Sequence, residues 1–189
     1  IKTGKFFFAQ SLNSLSKSNW NECVGLDHPF TRYEFLHALE SSASVSIKTG
    51  WKSFHYVELD IEHTIIAVCP LYIKSHSFGE YIFDHAWAEA YQRYGLKYYP
   101  KLQSAVPFTP VTGNRILIRN EFSKRKNIRS RILNNILSKA SSVNVSSVHF
   151  NFLNNEDTEY FKKSDFKIRG SIRELQSMVA EPLRRLQDA

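Results

Sequence analysis

The 189 residues include only two cysteines, one methionine and seven glycines. Cys23 and Cys69 form no CxxC pair and no zinc-ligand spacing, which argues against a disulfide framework and fits a reducing cytoplasm. Cys69 stands in "IIAVCPLY", where a buried, inert core thiol is a better reading than a nucleophile. The longest nearly continuous apolar run, "TIIAVCPLYI" (64–73), is too short to span a bilayer. The N-terminal "IKTGKFFFAQSL" has no long apolar region and no small-residue cleavage site, so no signal peptide is expected. Also missing are HExxH, P-loop, GxGxxG, GxSxG and zinc patterns. These absences leave few of the common hydrolase, nucleotide-binding and metalloenzyme classes, and no metal site is expected.

Apolar residues make up 42% and aromatics 14% of the chain, enough for a sizeable core in one domain and unlike a disordered composition. Charge is unevenly placed. Residues 1–113 hold ten Lys+Arg and ten Asp+Glu, whereas residues 114–189 hold fifteen and eight. Five of those bases fall in "KRKNIRSR" (124–131). Such a block is most often a solvated face, but it also attracts phosphates. It lacks interleaved aromatics, which argues against nucleic acid as a partner.

Periodicity gives an alternating order of elements. "KFFFAQ" suggests a strand, and "SLNSLSKSNWNECV" a helix with Ser11 at its N-cap. "DHPFTRYEFLHALESS" suggests a second helix. "SFHYVELD" and "HTIIAVCPLYIK" form a β-hairpin pattern. "EYIFD" suggests a further strand, whose Asp84 would cap the helix "HAWAEAYQRY", with Gly95 at C′. Arg115 to Ile118, "SSVHFNFL" and "KIRGSIRE" suggest strands. "NIRSRILNNILSKASS" and "NEDTEYFKKSDF" suggest helices. The expected class is α/β in the α+β sense, with a mixed, mostly antiparallel sheet flanked by helices. The hairpin 53–73 and strand 115–118 should share that sheet, between helices 31–41 and 128–140. The last 19 residues show weak helical periodicity broken by Pro182 and are expected to pack poorly.

The stretch "KSHSFGEYIFDHAWAEAYQRYG" (74–95) holds two histidines, three carboxylates, three tyrosines and a tryptophan. At helical spacing Trp87, Tyr91 and Tyr94 form a stripe, which core packing explains well. Asp84 serves equally as a helix cap or a site residue, and His76 and His85 as structural hydrogen-bonders. The next candidate is "AVPFTPVTG", whose prolines, Gly113 and threonine hydroxyls suit a shaped loop along a groove. A rigid connection into the next strand explains it as well.

Three strings, "HPFTRYEFLHALESSASVSIKTGW", "PLYIKSHSFGEYIFDHAWAEAYQRYG" and "YYPKLQSAVPFTPVTGNRIL", resemble a bacterial family of peptidoglycan biosynthesis or recognition. That family is similar to the Fem-type peptide-bridge aminoacyltransferases, which use the GNAT (acetyltransferase) fold twice in tandem. The resemblance runs from about His28 to Leu117, and more weakly to about Gly170. It implies a GNAT-like unit over 1–170, the first of two such halves, followed by a divergent tail 171–189 without aromatics.

It further implies transfer of an acyl or aminoacyl group to an amine, which needs a base and an acid. Glu80, Asp84 and Tyr91 are the catalytic candidates. His76, Ser77, Trp87, Tyr98, Tyr99, Lys101, Phe108, Thr109 and Thr112 are the substrate-binding candidates. A small molecule or a peptidoglycan precursor is the expected substrate. The strand-loop-helix "RILIRNEFSKRKNIRSRIL" has the layout of the family's coenzyme A loop, R/Q-x-x-G-x-G/A. Lys124, Asn127 and Arg129 occupy the three marked positions, with Arg125 beside them. Both glycines are missing, so a coenzyme A thioester is expected to bind weakly, mostly through side-chain charge. The rival class is a non-catalytic module that binds a cell-wall precursor or another polar ligand.

Overall fold

A computed structural model describes residues 4–26, 28–82, 84–124, 127–164, 166–170 and 176–180; for 168–170 and 176–180 the backbone alone is described. A long β-hairpin organises the molecule. Its first arm comprises β2 (Trp51–Ser53) and β3 (His55–Leu59), and its second β4 (Ile65–Cys69) and β5 (Tyr72–Lys74). The arms turn at Asp60, whose carboxylate accepts from the Glu62 and Thr64 amides at 2.9 and 2.8 Å. Both arms bend between their two strands. Pro70 has no N–H to continue a ladder, and the Phe54 amide donates to Leu71 O at 2.8 Å across the bend.

The bend divides the strands between two sheets. The first has the order β1 (Phe6–Ala9), β3, β4, β7 (Leu117–Ile118) and is antiparallel throughout. The second has the order β2, β5, β6 (Lys101–Ser104), β8 (Val148–Asn151), β10 (Gln176–Ala180), β9 (Lys167–Gly170). Only β6 and β8 in it are parallel. The α+β class with mostly antiparallel pairing is therefore as expected. The single mixed sheet through 53–73 and 115–118 is corrected: β3, β4 and β7 share the first sheet, while Ser53, Tyr72 and Ile73 belong to the second.

Helices cover both faces of the first sheet. α1 (Lys17–Val24) and α2 (Tyr33–Ser41) bury Trp20, Cys23 and Leu36 against Val57, Ile65, Val68 and Leu117. The expected N-cap Ser11 caps a short 3-10 turn at 12–14 instead, and Ser16 caps α1. On the other face α5 (Ile128–Ser142) lays Ile128, Ile132, Leu133, Ile136 and Ala140 into the main core. That 3.6-residue stripe is the one legible in the sequence. A four-residue helix, α4 (Asn120–Ser123), precedes α5, and α6 (Asn155–Lys162) follows β8.

The second sheet has two different faces. Leu102, Val148 and Phe150 join Phe161 and the α5 residues in the apolar core. Cross-strand partners share a face, so the register pairs Lys74 with Lys101, Tyr72 with Gln103 and Gln103 with His149 on the opposite side. That side is polar and yet buried. It lies beneath the segment 75–97, which carries α3 (His85–Arg93). Two expectations fail here. No described residue of "EYIFD" is in a strand: residues 77–80 turn, with the Glu80 amide bonded to Ser77 O at 3.3 Å, and Tyr81 has φ +57°. The stripe Trp87–Tyr91–Tyr94 is not core: no α3 residue is buried, and Trp87 and Tyr94 are 46% and 83% exposed.

A third correction concerns the C-terminal segment. Residues 176–180 are a strand laddered on both sides, to β8 and to β9, and not a loosely packed helix. Two open strand edges offer more backbone partners than an interrupted amphipathic stripe can. Residues 171–175 and 181–189, with the rest of the expected tail, lie outside the described residues.

Candidate functional site

The polar face of β5 and β6 presents Lys74, Lys101 and Gln103 to the turn that carries Glu80 and to the start of α3. Lys101 Nζ donates to Glu80 Oε2 at 2.7 Å and to Asp84 Oδ2 at 2.5 Å. Tyr99 OH donates to the other Asp84 oxygen at 2.9 Å. Asp84 directly precedes α3, as expected, but makes no side-chain cap; its carboxylate turns inward. Lys74 Nζ donates to Phe78 O at 3.1 Å, lies 3.9 Å from Glu80 Oε1, and stacks 3.7 Å from the centre of the Trp51 ring. With its amide nitrogen turned toward Glu80, Gln103 donates to that carboxylate at 2.9 and 3.1 Å and accepts from Asn151 at 2.9 Å. The network dictates this orientation. Lys74, Glu80, Asp84, Lys101 and Gln103 are all less than 5% exposed.

Burial and pairing push these groups in different directions. Burial raises Glu80 to about 7, even though Lys101 opposes the shift. Burial would raise Asp84 too, but there the Lys101 charge and hydrogen bond prevail and hold it below its ordinary value. Burial lowers Lys74 to about 8. Burial also raises Tyr99, so its hydroxyl stays protonated at any physiological pH. Two neighbouring carboxylates with separated proton affinities are the arrangement from which acid and base roles are built. Structural ion networks produce such shifts as well.

The other sequence candidates fall into three groups. Ser77 lies beside the Tyr99 side chain. Tyr98 and Tyr91 meet edge to face at 5.1 Å, with Tyr98 against Tyr99 at 5.0 Å. Phe108, at φ +58°, lies 5.5 Å from Trp51, and its amide donates to Gly79 O at 3.2 Å. The loop therefore closes on the turn before Glu80. Gly79 is required there: its φ is +79°, and a Cβ would sit 2.6 Å from the Phe108 ring. These residues stand in or against the cluster. His76 accepts from the Phe78 amide and rests on Gly50 at the rim, and Trp87 lies outward on α3. Thr109 and Thr112 belong to another part of the surface, where Thr112 O meets His28 Nε2 at 3.1 Å.

The basic segment is separate. The Arg119 amide bonds Ile66 O at 2.9 Å, whereas the cluster surrounds Lys74, beyond the bend at Pro70 and in the second sheet. Asn127 has φ +70° and ψ +6° immediately before α5, and its side chain makes no cap. It thus adopts the left-handed backbone that a glycine would supply. At the second missing glycine, the Arg129 guanidinium is drawn away to Asp157 and Glu156 of α6. Arg131 is likewise taken by Glu58 at 2.5 Å. Two of the five bases thus serve α5 packing. Lys124 follows α4 in helical geometry, and Arg125 lies outside the described residues. Backbone shape and an uncapped fifteen-residue helix suit an anionic group such as a pyrophosphate.

Lys74, Trp51, Gln103 and Asn151 were not singled out from sequence. The signal was there: "YIK" and "KLQ" each alternate polar positions with a core residue, and the period of two places them on one face. Both thiols are inert core groups, pushed by burial up to about 12. Native protein should therefore leave Cys23 and Cys69 unlabelled by a disulfide exchange reagent, and both should react in denaturant. Rapid labelling of a native thiol would contradict this.

Among the described residues no helix is long and apolar enough to cross a membrane, and no cluster of metal-ligating side chains is found. The architecture is the GNAT acyltransferase fold. A protein of Desulfovibrio desulfuricans assigned to the GNAT acetyltransferases superposes with TM-score 0.59 at 6% identity, over 94% of this chain and 98% of the other. The ribosomal-protein-S5-alanine acetyltransferase of Vibrio fischeri gives 0.54 at 11%, over 97% and 96%. Spermidine/spermine N-acetyltransferase SpeG of Vibrio cholerae gives 0.53 at 11%, over 98% and 96%. The chain belongs to the FemAB-like family of peptidoglycan biosynthesis/recognition, which it matches over residues 11–176. No curated protein matches it.

Proposed function

We propose that the chain is a FemAB-like N-acyl- or aminoacyltransferase unit, the first half of a two-unit enzyme. Its acceptor is an amine-bearing substrate of the cell-wall precursor class. The observation that carries this reading is the pair Glu80 and Asp84 around Lys101, with Glu80 close to half-protonated at neutral pH. An acceptor amine arrives as ammonium and must lose a proton before attack. Glu80 takes it; a base with affinity near the working pH is the most effective. Lys101 keeps Asp84 ionised, and Asp84 orients the Tyr99 hydroxyl. Tyr99, which retains its proton, is the donor to the leaving group. Tyr91, Tyr98, Phe108 and Ser77 wall the acceptor side, with His76 at its rim; Trp87, outward on α3, and Thr109 and Thr112, on another part of the surface, stand apart from it.

A coenzyme A thioester, when bound, supplies the activated acyl group. Asn127, the first-turn amides of α5 and Lys124, with Arg125, would hold its pyrophosphate. Arg129, committed to α6, supports the helix and not the phosphates. The segment 75–97 must move to admit an acceptor, because the cluster is closed; α3, with no buried residue, is the element that can lift without breaking the core. The closure equally suits the rival reading, a binding module without chemistry.

Acyl transfer to amine acceptors from thioester and aminoacyl donors would be followed for wild type, Glu80→Gln and Asp84→Asn. Glu80→Gln should lower kcat by about 10²-fold or more while the protein stays folded. A folded Glu80→Gln protein with undiminished rate would remove Glu80 as the base. A wild type that binds precursor and never turns over would leave the binding module.

A further inference from the structure

Arg115 is fully buried between the two sheets. Its guanidinium donates from Nε to Asn151 O at 2.9 Å, and from Nη2 to Val111 O at 2.6 Å and Phe152 O at 3.2 Å. All three acceptors are neutral carbonyls. Asp157, the nearby acid, accepts the Arg115 backbone amide at 3.1 Å and pairs with Arg129. It forms no ion pair with the Arg115 guanidinium. Nη1 is buried and has no hydrogen-bond partner among the described residues.

A buried cation without a contacting anion, and with an unmade donor, is costly. Burial lowers Arg115 only to about 10, so it remains charged. Evolutionarily cheaper apolar packing was open to a residue needed only for its carbonyl bonds. We propose that Arg115 Nη1 anchors the carboxylate of a small ligand of amino-acid size, at a site roofed by residues 109–113 and His28. The carboxylate supplies both the missing charge and the missing acceptor. A tetrahedral phosphate suits the place less well, because only one edge of the fork is left and Nη2 and Nε are committed. His28 and Thr112 close the outer side through their 3.1 Å contact, and Thr112 is exposed. The inner side of the same loop is held by the Gly113 amide on Phe152 O at 3.0 Å and by Val111 O on Arg115. The site is independent of the acyl-transfer reading and of the Glu80 cluster.

The test is an acetate titration of ¹⁵N-arginine-labelled whole chain, followed at the Arg115 side-chain Nη resonances, with chloride at matched ionic strength and inorganic phosphate as parallel arms. A saturable shift with acetate and none with chloride is expected. Arg115→Lys should weaken acetate binding about tenfold or more, since an ammonium has no planar fork. If that variant fails to fold, the wild-type titration alone decides. No saturable acetate shift, the same shift with chloride, or tighter binding of phosphate would each overturn the proposal.

Discussion

Replacing Lys101 by methionine is expected to be among the most damaging single substitutions in the chain. Lys101 is 1% exposed and is the only cation in hydrogen-bond contact with both Glu80 and Asp84 among the described residues. Methionine fills a similar volume, so the loss is electrostatic and not a cavity. Two carboxylates then share a buried site whose remaining ammonium, Lys74, is 3.9 Å from one of them. Removing one partner of a buried ion network typically costs about 3–5 kcal/mol. For a domain of this size that corresponds to a fall in Tm on the order of 10 °C. Adding Glu80→Gln and Asp84→Asn to Lys101→Met should recover part of the loss, because the three side chains act as one unit and their effects cannot add. Calorimetry on the single and triple variants checks both points. A Lys101→Met protein that melts with wild type would show that the network contributes little, and would weaken the case that it is built for chemistry.

Much of the fold was legible because periodicity survived tertiary context. The α5 stripe Ile128, Ile132, Leu133 and Ile136 and the β3–β4 hairpin fall where the pattern placed them. The failures have physical causes. "EYIFD" has strand-like residues, but Glu80 and Asp84 are held by Lys101, and those bonds fold the segment into a turn. The two sheets were merged into one because a bend at Pro70 leaves no mark on the hydrophobic pattern of "IIAVCPLYIK". The stripe Trp87, Tyr91 and Tyr94 has helical spacing, yet Trp87 and Tyr94 face outward and only Tyr91 turns in, against Tyr98. Residues 176–180 are too short and too weakly patterned to declare a strand; the ladders on either side decide their state.

For the site, the acids and tyrosines of 80–101 stood out by density alone. Their partner Lys74 did not, because a lysine at a strand end usually means solvent. Asn127 was recognisable as a residue tolerant of the left-handed region. That Arg129 would turn to Asp157 required the position of α6, which no local pattern contains.

The pH dependence of stability should separate Glu80 from every other group. Its carboxyl titrates at 4.5 unfolded and at about 7 folded. Between those values the folded protein holds a proton that the unfolded chain has released. Stability from this residue is therefore greatest below 4.5 and declines as pH rises through 7, by about 3 kcal/mol over the full shift. Other groups titrate elsewhere or with the opposite sign. Glu40, held near 2 chiefly by His55 and Ser53 against the effect of burial, stabilises above its unfolded value and loses that only in acid. His28 and His76, both lowered by burial, add stability as pH rises toward 6.5 and so mask part of the Glu80 slope. The comparison must accordingly be a difference. Urea unfolding of wild type and Glu80→Gln at pH 5.0 and 7.5 removes what the two proteins share. Wild type should lose about 2–3 kcal/mol relative to the variant between those pH values. Parallel behaviour of the two would mean that Glu80 is ionised throughout, locked by Lys101 as a structural ion pair. It would then be no base for an amine.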